Sequence, residues 1–180
     1  MKTQANQSLP NDRGSATELL NYFVSVRAKT LDLCSPLEVE DFGVQPMADA
    51  SPPKWHLAHT TWFFEAFLLK VYEDNFQPFH ETFGYLFNSY YIRVGDPFPR
   101  SDRGNLSRPT VKEVMQYRTE TESKVIDLIT DLERFDQKIQ QEILSVLRVG
   151  IEHEQQHQEL LITDLKYNFG QLSSIFYHLI

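Results

Sequence analysis

The stretch Ile151 to Tyr167, IEHEQQHQELLITDLKY, constrains this chain more than any other, because it sets His153 and His157 one helical turn apart. An apolar ladder enters through Ile139, Ile143, Val146 and Gly150 and leaves through Leu160, in alternating steps of four and three. That pattern is the inward seam of a helix in a bundle. The two imidazoles therefore stand where leucine would ordinarily sit. Buried without partners, two neutral imidazoles would forfeit much hydrogen bonding, whereas one divalent ion satisfies both. The pattern predicts a metal site.

The rest of the composition fits a helical frame for that site. A chain of 180 residues allows one domain with a real core, and 7 Gly among 41% hydrophobic and 13% aromatic residues argue for an all-α globular fold. The formal charge of −8 is spread without a Lys/Arg run to track phosphates, which argues against a nucleic-acid partner. No apolar run approaches about eighteen residues, and MKTQANQSLPNDRG lacks an apolar signal core. The expectation is a cytoplasmic protein without a membrane partner. Cys34 is the single cysteine, so no internal disulfide can form, and it reads as a packed, inert thiol.

Four helical segments are expected. Residues 1–14 are polar and read as a flexible tail. Ser15 and Glu18 have capping-box spacing, opening a first helix to about Leu33 that buries Leu19, Phe23, Val26 and Leu31 or their neighbours. Ser51-Pro52 marks the start of a second helix to about Glu73, with a seam through Trp55, His59, Trp62, Ala66 and Leu69. His59 again replaces an apolar residue on an inward line, while His56 lies off the seam as a rim histidine. From Asp74 to Arg108 the chain turns aromatic and Pro-rich, too long for an idle connection, and reads as a crossover with short helical pieces. Its aromatics, Phe76, Phe79, Phe83, Tyr85, Phe87, Tyr90 and Tyr91, would fasten it to the helices, leaving Arg93, Arg100 and Arg103 as rim cations. Thr110 and Glu113 offer a second capping box for a third helix to about Arg134, and Asp136 caps a fourth running to about Asn168. Together they make a four-helix bundle over residues 15–169, with a long crossover between the second and third helices, and a short tail over 170–180.

HEQQH matches the zinc-protease pattern, but a protease also needs a third ligand downstream and a strand-edged cleft, and neither is legible. His59 is the better third ligand. Three imidazoles from two helices form a set with positions open for water, substrate or dioxygen, and imidazole suits Fe, Zn, Ni and Cu alike. Glu154 and Asp164 could orient ligands from behind or simply be solvated.

Four ordered motifs, DASPPKWHLAHTTWFFEAFLL, YLFNSYY, PRSDRGNLSRPTV and HEQQHQELLITDLKY, resemble the N-terminal half of the ergothioneine-biosynthesis sulfoxide synthases. These are mononuclear non-haem iron enzymes whose first domain is a DinB-like four-helix bundle. The resemblance implies Fe(II) on His59, His153 and His157, with Zn, Ni or another divalent ion as substitutes. It implies that Arg100 and Arg103 grip a carboxylate of the thiol substrate, and that Gln156 faces the betaine of Nα-trimethylhistidine. The implied reaction is oxygen-dependent joining of a cysteine-type thiol to that betaine. The family's second domain resembles the formylglycine-generating enzyme and carries the catalytic tyrosine; it is not legible in this chain, so the expectation is a truncated synthase, inactive alone unless that domain is supplied. The alternatives are a stand-alone DinB-like metal-dependent thiol transferase and a non-catalytic interaction domain, in which case a homodimer is expected.

Overall fold

The computed structural model describes residues 12–89 and 95–176, with side chains described over 16–89 and 95–170. Among the described residues every regular element is helical. Four long helices dominate: α1 (Asp12–Cys34), α2 (Pro53–Phe64, continued by a π-helical turn at Glu65–Leu69 and a last turn at Lys70–Tyr72), α3 (Val111–Thr130) and α4 (Gln137–Phe176). Helix α2 packs on α3 and α4, and α1 packs on α4 and α3. None of the described helices is long and apolar enough to cross a membrane.

Local chemistry explains most boundaries. The Thr110–Glu113 capping box forms in both directions, and the Asp136 carboxylate accepts the Ile139 N–H at 2.9 Å. Two expectations fail at helix starts. Helix α1 begins at Asp12, so Ser15 lies inside it rather than capping it. Helix α2 begins at Pro53, and Ser51 caps nothing: its N–H donates to Asp164 at 2.8 Å and its hydroxyl accepts from Arg103 at 2.8 Å. Helix α4 also outruns its expected end at Asn168.

Two apolar clusters fill the interior. One gathers Leu19, Phe23, Phe64, Leu68, Val125, Leu128, Ile143, Leu147 and Ile151; the other gathers Cys34, Trp55, Leu57, Trp62, Phe87, Val114, Tyr117 and Leu161. Along α1, α3 and α4 the positions between the clusters are polar and buried: Arg27 and Thr30, Arg118 and Thr121, and Glu154. Buried charges persist only when paired, and these are. Glu154 takes Arg27 at 3.1 Å, Arg118 on its other oxygen, and the Thr30 hydroxyl at 2.7 Å. Arg27 and Arg118 also bond each other's backbone carbonyls, at 3.0 Å each. A charged layer thus crosses the interior beside the histidine turn.

The inward line of α4 keeps Ile143 and Gly150 of the expected seam and departs from it elsewhere. Leu147, Ile151, Glu154 and Leu161 are buried, whereas Leu160 is 39% exposed. His153 and His157 consequently flank the core rather than centre on it. Gly150 does meet a close neighbour, since a Cβ there would overlap the Phe64 ring. The residue 74–108 connection carries short helical pieces at Phe83–Leu86 and Arg100–Asn105. Phe83 and Phe87 fasten it by burial, while Tyr85 stays exposed; Tyr90, Tyr91 and Arg93 lie outside the described residues.

Candidate metal centre

His59 is carried by α2 and His153 and His157 by successive turns of α4, and the packing of these helices brings the three rings together. Ring centroids lie 4.9 Å apart for His59 and His153, and 4.6 Å for each other pair. One nitrogen from each ring falls within 4.8 Å of the others, a set that could hold a divalent ion. Two of their nitrogens have no protein partner: His59 Nε2 and His153 Nδ1 are buried and make no hydrogen bond. Orphaned buried nitrogens are costly in a finished core and expected where an ion binds.

The surroundings hold the rings in place. His59 stacks between Trp55 (4.5 Å, 13°) and Trp62 (5.6 Å, 17°) along α2, and its Nδ1–H donates to the Phe87 carbonyl at 2.6 Å. That bond leaves Nε2 as the lone-pair nitrogen. His157 meets His56 through their Nδ1 atoms at 3.0 Å, and His56 Nε2 meets Asp164 at 3.0 Å. His56 is therefore no rim histidine: it is 2% exposed and wedged between α4 residues.

Electrostatics keep the cluster neutral. Burial pushes His153 down to about 4, and pulls His59 and His157 well below the usual histidine range, helped by the neighbouring imidazoles and Arg103. His56 is also lowered by burial, against the opposing pull of Asp164. Neutral imidazole is the ligand form, so ions need not displace protons near neutral pH.

The rings line a cleft of about 200 Å³ to which all six sequence-predicted site residues contribute: His59, His153, His157, Arg100, Arg103 and Gln156. Arg100 and Gln156 are exposed at its edge. Arg103 is not the rim cation expected. It is 4% exposed, with its guanidinium 3.3 Å from the Trp55 ring centre and Nη1 bonded to Ser51. Two guanidinium groups and one carboxylate, Asp164, thus share the lining of the cleft.

The sequence match follows this geometry. A family model described as the DinB superfamily matches residues 22–161. This chain belongs to the DinB superfamily. The matched span of this DinB-superfamily chain contains all three histidines and both arginines. No curated protein matches it.

Of the neighbouring side chains, the sequence offers Glu154 and Asp164 as orienting groups or as solvated carboxylates, and sets His56 at the rim. A single seam along α2 leaves His56 off its line, yet all of Pro53–Glu65 is buried. Asp164, seven residues after His157, shares its helical face and is bonded to His56. Glu154, the glutamate of HEQQH, is 0% exposed with both oxygens committed to Arg27, Arg118 and Thr30. It does not line the cleft and is engaged with two arginines instead, which is not the place of a protease general base. Cys34 is buried with its thiol pushed up to about 11, so it stays protonated.

Proposed function

We propose that the chain is a DinB-type four-helix bundle, with residues 74–108 as its crossover, that holds one divalent metal ion on His59, His153 and His157 and takes a carboxylate-bearing thiol beside it. Fe(II) is the first candidate and zinc the second. The observation that carries the reading is the convergence of three neutral imidazoles, with His59 Nε2 and His153 Nδ1 unpartnered, at one wall of a cleft with Arg100 and Arg103. Arg100 offers its guanidinium at the mouth, and Arg103, held on Trp55, adds positive charge from beneath. Gln156, exposed at the cleft edge directly before His157, would face the betaine of Nα-trimethylhistidine. In sulfoxide synthases of ergothioneine biosynthesis, a bound iron(II) supplies dioxygen activation for carbon–sulfur bond formation. The protein's own part is to hold the thiol's carboxylate, set the ring tautomers and keep the histidines neutral.

The test is anaerobic titration with Fe(II), then with cysteine or γ-glutamylcysteine and Nα-trimethylhistidine. The reading predicts metal uptake followed by saturable binding that requires the thiol's carboxylate. A protein that takes up metal but ignores the thiol contradicts it. A second reading, a zinc-dependent thiol transferase, draws on the same imidazole set, which suits zinc equally. Admission of oxygen separates the two: oxygen uptake tied to sulfoxide formation favours the synthase, and thiol conjugation without oxygen uptake favours the transferase.

A further inference from the structure

His157 does not stand alone at the cleft wall. Its Nδ1 lies 3.0 Å from His56 Nδ1, and the far nitrogen of His56, Nε2, lies 3.0 Å from Asp164 Oδ2. The same carboxylate oxygen accepts the Ser51 N–H at 2.8 Å. An ionised carboxylate only accepts, so the hydrogen between it and His56 must sit on Nε2. A neutral imidazole carries one N–H, and Nδ1 of His56 is then an acceptor. The contact between the two Nδ1 atoms needs one hydrogen, which must come from His157. Nε2 is left as the only lone-pair nitrogen of the His157 ring.

We infer that Asp164 and His56 are positioning residues for the metal, a two-link relay that fixes His157 in the tautomer with its lone pair on Nε2. The inference rests on the metal reading above and deepens it. His59 is fixed in the same sense by the Phe87 carbonyl, whereas His153 Nδ1 has no protein partner. The relay spans both elements that carry ligands, since His56 is on α2 and Asp164 and His157 are on α4. It also spans them inside the protein: His56 is 2% and Asp164 8% exposed. Water is therefore a poor replacement for either link. Hydrogen-bond partners behind a metal-bound histidine orient the ring and raise its basicity, and their loss typically costs about 10–100-fold in metal affinity.

The test measures Zn(II) affinity by competition with a chromophoric chelator, alongside thermal melting of the metal-free protein. His56→Phe keeps a buried ring but removes both links, and should weaken Zn(II) binding by roughly 10–100-fold. His56→Gln, whose amide offers one acceptor and one donor, should recover the larger part of that loss. Asp164→Asn removes the charge behind the relay and should fall between wild type and His56→Phe. Nitrogen-15 NMR of the zinc-loaded wild type provides a readout that needs no variant: His157 should carry its proton on Nδ1 and its metal on Nε2. His56→Phe binding zinc within twofold of wild type, or a metal found on Nδ1 of His157, would overturn the relay while leaving the metal site standing. A wild-type protein that binds no zinc and no Fe(II) overturns the metal reading itself, and the relay with it.

Discussion

His153 and Glu154 are neighbours in the chain yet serve opposite sides of α4: the His153 ring packs against His59 and His157, while the Glu154 carboxylate turns inward to Arg27 and Arg118. One helical step of about 100° separates a ligand-type side chain from a structural one. Glu154→Ala would leave two buried guanidinium groups facing each other with only the partly exposed Glu122, 3.3 Å from Arg27 Nε, as a counter-charge. The expected cost is about 3–5 kcal/mol of folding stability, read by chemical denaturation. Metal stoichiometry in the folded fraction should be unchanged; loss of metal at full stability would return Glu154 to the centre.

Acid should weaken the metal-free protein in two windows. His153 is held near 4 against an ordinary 6.5, so between those values the unfolded chain binds a proton that the folded chain refuses. Stability therefore falls as pH drops from about 6.5 towards 4. Glu154 is held at about 2 by Arg118 and Arg27 against burial, so its contribution is present above about 4.5 and is lost as pH falls towards 2. Denaturant unfolding at pH 7.5, 5.5 and 3.5 should give steadily lower stability. Equal values at 7.5 and 5.5 would contradict the buried neutral imidazoles.

Gly150→Ala should destabilise the protein although alanine is the better helix former. The gain in helix propensity is about 1 kcal/mol. Against it, the new Cβ meets the Phe64 ring inside an apolar cluster, and overpacking of this kind costs roughly 1–3 kcal/mol. A melting temperature above that of wild type would show that the two helices can part without cost.

Arg100→Ala should weaken binding of a carboxylate-bearing thiol several-fold and leave the metal in place, since Arg100 is exposed and lines the cleft without touching the imidazole set. Paired titrations of metal and thiol check this. Simultaneous loss of both would mean that the Arg100–Asn105 turn is a structural prop, tied to the rest of the fold through the Gln45 bond to the Arg100 carbonyl.

The features legible in the sequence were those written in local periodicity. Thr110 and Glu113, Asp136, the Gly150 contact and the two imidazoles on α4 each follow from spacing along one helix. The features that were missed depend on which helices face each other. Glu154 looks like a surface carboxylate until Arg27 and Arg118 arrive from α1 and α3, residues far away in the chain. His56 looks like a rim residue until burial all round α2 shows that this helix has no solvent face over Pro53–Phe64. Arg103 looks solvated until Trp55 is found beneath it. The π-helical turn at Glu65–Leu69 inserts a residue that no 3.6-residue pattern anticipates, although Leu69 still lands inside as expected. There the buried Glu65 accepts the Phe79 N–H at 2.8 Å and the Tyr117 hydroxyl, tying the 74–108 connection to α2 and α3.

The most direct measurement is a metal titration of the metal-free wild-type protein and of His153→Ala, with Fe(II) under anaerobic conditions and with Zn(II). The account predicts one ion per wild-type chain, none in His153→Ala, and the same helical circular-dichroism signal in both. Full metal retention by His153→Ala, or no uptake by wild type, would contradict it.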